Sequence, residues 1–251
     1  ISLYMYIYNN CLKIIINLIF VMKPICIIPA RKGSKRIKNK NIKLFSGYPL
    51  IKYVIETALR SKLFSRVVVS TDSKEIARLA IKYGAEAPFC RSKKLSDDNT
   101  QITPVLIDTI KNIESKNIKY HFCIFPTAPL INFKDLKKAF KMFLQNNYDS
   151  MIAVSDYDHP PLKALKINND KISRKWSNIN TKNSKTQDLE YLVHDSGSFY
   201  IFNTESLIKK NNLITKNTSY YKLNFIKAFD IDTLEDFKFA EHIYNFFSKK
   251  R

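Results

Sequence analysis

The sequence is poor in glycine: its 251 residues include only Gly33, Gly47, Gly84 and Gly197. Their spacing excludes the G-x-G-x-x-G fingerprint of dinucleotide-binding folds and the G-x-x-x-x-G-K-[ST] phosphate loop. It also excludes collagen and most glycine-rich repeats. Two of the commonest nucleotide-binding motifs are therefore absent.

Cysteine is scarce as well, with four residues that form no C-x-x-C pair and no Cys/His set with zinc spacing. Cys26 and Cys123 lie inside apolar, strand-like runs, where a free thiol behaves as a small hydrophobic group. This cysteine usage is typical of a reducing compartment, so we expect a cytoplasmic protein.

A long uninterrupted hydrophobic run is also missing. The segment from Cys11 to Val21 is apolar, but Lys13 and Asn17 interrupt it, and it falls short of the ~20 apolar residues of a membrane span. No small-residue cleavage site follows this segment, so a secretory signal peptide is a poor fit. Met22 opens a run that leads directly into a strand, so we expect 1–21 to be a non-native or disordered extension and 22–251 to form one domain. A membrane-associating helix is the alternative for 1–21.

Positive charge, by contrast, is abundant: the formal net charge is +20. Such an excess favours an anionic partner, namely nucleic acid, an acidic membrane surface or a polyphosphate substrate. Because the charge is spread along the chain, composition explains most of it, and we expect no nucleic-acid partner and no membrane. The dense basic run from Lys32 to Lys43 is the exception.

Apolar runs and amphipathic segments alternate along the chain, which predicts an α/β fold with a mostly parallel sheet flanked by helices. Buried strands are expected at Ile25–Ile28, Arg66–Ser70, His121–Phe125, Ser150–Val154, Ser198–Phe202 and Ala228–Ile231. Helices are expected at Leu50–Ser61, after the cap Thr71–Ser73 as far as Tyr83, and at Thr103–Ile113, Phe133–Asn146, Thr204–Lys210 and Thr233–Phe247.

The segment from Tyr157 to Asp188 breaks this alternation, because it is polar and weakly periodic. It is too long for a bare loop in a compact domain. We therefore expect an inserted arm at about 162–188, with a strand pattern at Ala164–Ile167.

The basic run follows the first strand, at the edge of the sheet where open α/β folds bind ligands. Gly33 and Ser34 predict a tight loop with exposed backbone N–H groups. Cationic side chains come from Arg31, Lys35 and Lys40. This combination suits a triphosphate. A solvated basic loop is the alternative, whereas single-stranded nucleic acid is disfavoured because the loop holds no aromatic residue.

Two further segments carry candidate chemistry. Asp230 and Asp232 flank the end of a predicted strand, and two carboxylates suit Mg²⁺. The alternative is that Asp232 caps the last helix, whose start is marked by a Thr233–Asp236 capping box. The second segment runs from Thr186 to Tyr200, where His194 is either a hydrogen-bonding group of a ligand site or a surface histidine.

The run Ile28-Pro-Ala-Arg-x-Gly-Ser-Lys-Arg-Ile-x-x-Lys-Asn-Ile42 resembles the signature of the acylneuraminate cytidylyltransferases, which make CMP-activated nonulosonic acids. The resemblance continues through five shorter motifs: Gly47-x-Pro-Leu-Ile51, Val69-Ser-Thr-Asp72, Arg91-x-x-x-Leu-Ser-Asp-Asp98, Pro126-Thr-Ala-Pro129 and Phe229-Asp-Ile-Asp-Thr233. It covers nearly all of 22–247.

This resemblance implies a nucleotide-diphospho-sugar transferase type fold, CTP as co-substrate, Mg²⁺ held by Asp230 and Asp232, and a homodimer embraced by the arm. The implied catalytic residues are Arg31, Lys35, Lys40 and Asp230. The implied nucleotide contacts are Arg31, Gly33, Ser34, Lys35, Asn41, Arg91 and Thr100. The implied contacts with the nine-carbon acidic sugar are Phe125, Thr127, Gln187, His194, Ser198 and Phe199.

Departures from the family pattern bear on the sugar. Members that use N-acetylneuraminate carry Gln at the position of Phe125 and Arg at those of Thr186 and His194. The pattern Gln-Asp-Leu…His-Asp-x-Gly-x-Phe-Tyr instead resembles members that use pseudaminic acid for surface glycans. Ser196, Ser198 and Ile201 depart from that pattern too, so legionaminate, N-acetylneuraminate and Kdo stay open as alternatives.

Overall fold

The computed structural model describes residues 23–176, 185 and 188–248. A six-stranded sheet forms its centre, in the order β10-β6-β9-β5-β1-β4. The strands are β1 (Ile25–Pro29), β4 (Arg66–Ser70), β5 (Tyr120–Ile124), β6 (Ser150–Asp156), β9 (Val193–Asn203) and β10 (Thr218–Lys222). All run parallel except β9, which is antiparallel to both β5 and β6. The mostly parallel sheet is therefore confirmed.

Helices cover both faces of this sheet. They are α1 (Leu50–Ser61), α2 (Lys74–Lys82), α3 (Ile102–Asn112), α4 (Phe133–Leu144), α5 (Thr204–Lys210) and α6 (Leu234–Ser248). Side chains of α1, α2 and α4 pack on one face of the sheet, and those of α3 and α5 pack on the other. Burial on both faces explains why the central strands read as continuous apolar runs. The six predicted helices are confirmed.

The late strand predicted at Ala228–Ile231 is wrong. These residues form a turn and a loop, in which the Ala228 N–H donates to the Asn224 carbonyl oxygen at 3.0 Å. The strand lies earlier, at β10, where Thr218 pairs with Ser150 of β6. An edge strand is stabilised by its pairing as much as by its own residue types, and the polar β10 gave no apolar signal.

Small antiparallel pairs complete the described fold. β2 (Leu44–Phe45) pairs with β3 (Tyr48–Pro49) just before α1. Within the segment predicted to be an arm, β7 (Leu165–Asn168) pairs with β8 (Lys171–Arg174), and every residue of this hairpin is exposed. The strand pattern predicted at Ala164–Ile167 corresponds to β7.

The predicted extension 1–21 lies outside the described residues. So do both ends of the predicted domain 22–251 and part of the predicted arm. Among the helices that the structure describes, none combines the length and apolar character needed to cross a membrane.

Candidate active site

The carboxyl ends of β1, β4 and β5 open into a cleft whose main cavity has a volume of about 410 Å³. Three loops form its walls: 29–41 after β1, 91–105, and 125–127 after β5. Cavities of this size are typical of small-molecule sites. The lining residues predicted from the sequence are Arg31, Ser34, Lys35, Lys40, Asn41, Arg91, Thr100, Phe125 and Thr127.

Two cations of the first loop share one carboxylate. Arg31 Nη2 lies 2.6 Å from Asp98 Oδ1, and Lys35 Nζ forms an ion pair with Asp98 Oδ2. Arg31 Nη1 also donates to the Ser96 carbonyl oxygen at 3.4 Å. Two-thirds of the Arg31 side chain is covered, whereas that of Lys35 is 81% exposed. The cleft therefore presents one partly buried cation and one exposed cation on the same wall.

The backbone of this loop is held by polar side chains beneath it. The buried Asn41 donates from Nδ2 to the Arg31 carbonyl oxygen at 2.9 Å. Asp72 Oδ1 accepts from the Lys32 N–H at 2.8 Å. Ser73 is the N-cap of α2, within the cap predicted at Thr71–Ser73. Asp72 anchors the loop after β1, because its carboxylate accepts a hydrogen bond from the Lys32 N–H.

The predicted tight turn at Gly33 and Ser34 is present in a modified form. The Ser34 N–H donates to the Lys32 carbonyl oxygen at 2.8 Å, so this donor is used within the turn. A Cβ at Gly33 would have no neighbour within 4 Å, which shows that the loop stands open at this point. The side chains, more than the amides, define this wall of the cleft.

The loop 91–105 contributes Arg91 and Thr100 to the cleft. The Arg91 guanidinium is buried and donates from Nε to Ser96 Oγ at 3.1 Å, and its burial lowers its pKa. The Thr100 hydroxyl donates to Asp97 Oδ1 at 2.7 Å, and this hydrogen bond lowers the pKa of Asp97. The structure therefore brings Arg91 and Thr100 to the cavity that also contains Arg31.

Asp230 and Asp232 lie in the loop that leads into α6. Cations of the loop after β1 surround them. Asp232 Oδ2 pairs with Arg36 Nη1 at 2.7 Å. Lys40 Nζ donates to the Ile231 carbonyl oxygen at 2.6 Å and lies 3.9 Å from Asp232 Oδ1. Burial of the Asp230 carboxyl group, followed by the negative charge of Asp232, raises the pKa of Asp230. Burial lowers the pKa of Lys40.

The predicted capping box is confirmed and leaves Asp232 free for other partners. The Thr233 hydroxyl accepts from the Asp236 N–H at 3.1 Å, and Asp236 Oδ2 accepts from the Thr233 N–H at 2.7 Å. Because Thr233 and Asp236 cap the helix, the Asp232 carboxylate is turned to Arg36 and Lys40.

This carboxylate pair fits a hard divalent cation. Two like charges are held close enough to raise the pKa of Asp230, and Thr127 donates a hydrogen bond to that carboxylate. No group of three or more His, Cys, Asp or Glu residues suited to a metal occurs in the part of the chain that the structure describes. Mg²⁺ commonly binds through one or two carboxylates together with substrate phosphates, so the pair matches a metal that arrives with a nucleotide.

A bulge in β9 brings that strand to Asp230. Val154 of β6 pairs with Asp195, but Ile152 pairs with Tyr200, so β9 carries extra residues around Gly197. Gly197 adopts φ +60°, and a Cβ there would lie 3.6 Å from Asp230 Oδ2. Glycine adopts this conformation without steric cost, so the strand can turn towards the carboxylate.

The bulge is fixed by an Asp195–Tyr200 pair that sequence reasoning missed. The Tyr200 hydroxyl donates to Asp195 Oδ2 at 2.5 Å, while Asp195 Oδ1 accepts from the Gly197 N–H at 2.9 Å. Burial, followed by the Asp195 hydrogen bond, raises the pKa of Tyr200. The Tyr200 ring meets Phe125 edge-on with 5.2 Å between centroids. A glycine within a strand pattern was the available signal for this bulge.

The other residues predicted to contact a sugar do not all reach the cleft. His194 packs against Tyr157 with ring centroids 5.1 Å apart. Ser198 is buried, and its carbonyl oxygen accepts from the Phe125 N–H at 3.0 Å. Phe199 is completely buried in the core beside Tyr221, because successive strand residues point to opposite faces of the sheet. Gln187 lies outside the described residues.

Comparisons with known proteins agree with this geometry. A sequence model of the cytidylyltransferase family matches residues 25–250. The pseudaminic acid cytidylyltransferase of Campylobacter jejuni is 40% identical over 225 residues, which cover 89% of this chain and 97% of that protein. The CMP-N,N'-diacetyllegionaminic acid synthase of Legionella pneumophila is 30% identical over 231 residues, covering 88% and 96% of the two chains.

Among solved structures, CMP:2-keto-3-deoxy-manno-octonic acid synthetase complexed with CTP superposes with a TM-score of 0.67 and 16% identity. The likeness covers 89% of this chain and 98% of that chain. At this level of identity the likeness concerns the fold, and it confirms the nucleotide-diphospho-sugar transferase type architecture expected from the sequence.

Proposed function

The chain belongs to the cytidylyltransferase family, and on this premise we propose that it transfers CMP from CTP to a nonulosonic acid. Pseudaminic acid is the favoured sugar, and the CMP-sugar would serve surface glycan synthesis. The observation that carries the proposal is a cleft lined by cations that are linked to a pair of carboxylates. Arg31 and Lys35 line the cleft, and Asp232, two residues after Asp230 along the chain, pairs with Arg36 and Lys40, which line it as well.

In this reaction a sugar hydroxyl oxygen forms a bond to the α-phosphorus of CTP while the bond to the β-phosphate oxygen breaks. Pyrophosphate leaves, and the hydroxyl proton passes to solvent. Arg31 and Lys35 bind the triphosphate and neutralise the charge that develops on pyrophosphate. Arg91 and Thr100 contact the cytidine, Gly33 and Ser34 keep the phosphate loop tight, and positioning replaces covalent chemistry.

Mg²⁺ fits the pair Asp230 and Asp232, and when bound it would neutralise phosphate charge and polarise the attacking hydroxyl. The chain's own residues hold that pair in place. Arg36 and Lys40 balance its charge, and Thr127 donates to Asp230. Lys40 is anchored on the Ile231 carbonyl oxygen, so it also fixes the loop that carries both carboxylates.

Two aromatic rings support the choice of sugar. Phe125 and Tyr200 pack edge-on beside the bulge, at the position where N-acetylneuraminate-using relatives have a glutamine amide. An apolar wall favours a sugar with a deoxygenated end over one rich in hydroxyls. The 40% identity to a pseudaminic acid cytidylyltransferase supports the same choice, and legionaminate, N-acetylneuraminate and Kdo are the alternatives.

A homodimer is part of the proposal. The β7–β8 hairpin places Leu165, Ile167 and Ile172 on one face, with Ile167 paired to Ile172. These side chains are 57%, 75% and 68% exposed, which is unusual for adjacent aliphatic groups. A second copy of the chain would cover them. Light scattering should therefore give a dimer mass, and Ile167→Lys should shift it to the monomer.

The proposed reaction is tested by pyrophosphate release. The full chain would be incubated with CTP, Mg²⁺ and, in parallel, pseudaminic, legionaminic or N-acetylneuraminic acid or Kdo. We expect release with pseudaminic acid and loss of release when Mg²⁺ is chelated. Release with another sugar would replace the assigned substrate, and no release with any of them would contradict the proposed function.

A further inference from the structure

Asp98 occupies the two cations that the proposed function assigns to the triphosphate. Its Oδ1 lies 2.6 Å from Arg31 Nη2, and its Oδ2 forms the ion pair with Lys35 Nζ. One carboxylate thus bridges both cations, in the same manner as a phosphate group with two oxygens. The pairing with Lys35, then that with Arg31, lowers the pKa of Asp98, so the carboxylate is ionised at neutral pH.

Asp98 and its neighbour Asp97 bind different partners. Asp97 binds its own loop, because Oδ1 accepts from the Asn99 N–H at 2.9 Å and the Thr100 N–H at 2.7 Å. Asp98 instead reaches across the cleft mouth to the loop after β1, 67 and 63 positions earlier for Arg31 and Lys35. Ser96 adds a backbone acceptor for Arg31 on the same loop. Among the residues that the structure describes, the partners of the Asp98 side chain are these two cations.

We propose that Asp98 is an internal anion that occupies Arg31 and Lys35 until the triphosphate displaces it, and that it thereby limits the affinity for phosphate-bearing ligands. This inference rests on the proposed nucleotide site. A bound phosphate competes for the same N–H groups, so every phosphate-bearing ligand has to displace the carboxylate. Cytidine alone has no such competitor.

The same contact lies outside the hydrophobic core. The Asp98 side chain is 31% exposed and that of Lys35 is 81% exposed, so the pair does not fill a core position. Arg31 keeps a second partner in Ser96 and a backbone anchor in Asn41. Arg31 therefore stays near the cleft without Asp98.

The test is isothermal titration of the full-length chain at low salt with three probes: CTP with Mg²⁺, tripolyphosphate, and cytidine. Asp98→Asn keeps the side-chain shape and removes the charge. We expect its Kd for CTP and for tripolyphosphate to fall roughly three- to tenfold, the scale of two partly exposed ion pairs. Its Kd for cytidine should stay the same.

A matched control is Glu86→Gln, which removes a carboxylate paired with Arg66 at 2.6 Å away from the cleft. Its Kd values should equal those of the wild type. Unchanged or weaker CTP and tripolyphosphate binding by Asp98→Asn, with normal thermal unfolding, would overturn the inference while leaving the proposed function intact. Wild-type protein that bound none of the three probes would overturn both. In Arg31→Ala the gain from Asp98→Asn should shrink, because one of the two contested cations is gone.

Discussion

The two sides of the cleft differ in how they are built. The side that we propose for the nucleotide includes the loop after β1, where Arg31 and Lys35 lie four residues apart and Asn41 supports the backbone. The side that we propose for the sugar depends on the β9 bulge, whose shape comes from the pairing of β9 with β6. The first side joins several loops through side-chain contacts, whereas the second is shaped by strand pairing.

Two relatives of this chain are named for different sugars. A pseudaminic acid cytidylyltransferase and a legionaminic acid synthase are 40% and 30% identical to this chain. We infer that the nucleotide side is shared in function and that the side around Phe125, Asp195 and Tyr200 distinguishes the sugars. Three changes at the cleft test this division, in order of expected effect.

Asp230→Asn should have the largest effect, because the proposed mechanism assigns this carboxylate to the pair that would hold Mg²⁺. We expect turnover to fall by about 100- to 1,000-fold, the scale for loss of one preorganised electrostatic group. Pyrophosphate release measures it, and Asp170→Asn, in the exposed hairpin turn, is the matched control. Near-normal turnover by a folded Asp230→Asn would remove the carboxylate pair from the mechanism.

Arg31→Ala should lower turnover by about 100-fold, through the nucleotide side alone. The loss removes the partly buried cation assigned to the triphosphate, so the KM for CTP should also rise while the KM for the sugar stays nearly constant. Initial rates with each substrate varied in turn give both constants. An effect confined to the sugar KM would contradict the division of the cleft.

Tyr200→Phe should give the opposite pattern with a smaller magnitude. Loss of the hydrogen bond to Asp195 loosens the bulge, and we expect the KM for the sugar to rise by roughly tenfold, as for a hydrogen bond to a charged group. The KM for CTP should stay within about twofold. Tyr220→Phe, on the exposed face of β10, is the control. A change in the CTP KM alone would count against a sugar role for β9.

His121 belongs to the framework of the fold and not to either side of the cleft. Its substitution therefore tests the stability of the fold. It is completely buried between Ser115 and Thr204, and burial lowers its pKa from 6.5 to about 4. The unfolded state therefore binds more protons below pH 6.5, so the free energy of unfolding falls as the pH falls towards 4. We expect a loss of roughly 2 kcal/mol between pH 7 and pH 5.

Urea unfolding at several pH values measures that loss. His121→Asn should flatten the pH dependence, and His159→Asn, at an exposed position, should leave it unchanged. A stability that does not vary between pH 7 and pH 5 would show that His121 is not held neutral by burial.

Prediction from the sequence worked best where structure is local. The helices follow from apolar periodicity and from caps such as Thr233 with Asp236. The loop after β1 follows from a dense run of basic residues after an apolar strand. Such features depend on residues close together in the chain, and the sequence displays them directly.

Prediction from the sequence failed where strand pairing and long-range contacts determine the structure. The register of β9 buries Phe199 in the core, and its bulge brings Gly197 to Asp230. The bridging role of Asp98 depends on loops more than 60 positions apart, and β10 exists because β6 offers an edge to pair with. None of these partners can be read from a local pattern.

The most direct test of the central claim is the phosphorus-31 NMR spectrum of the complete reaction: full chain, CTP, Mg²⁺ and pseudaminic acid. Transfer of CMP across the cleft predicts that the three CTP resonances are replaced by pyrophosphate and by one phosphodiester resonance, and that Asp230→Asn leaves CTP largely intact. Formation of CDP and orthophosphate, or unchanged CTP with the wild-type chain, would contradict the account.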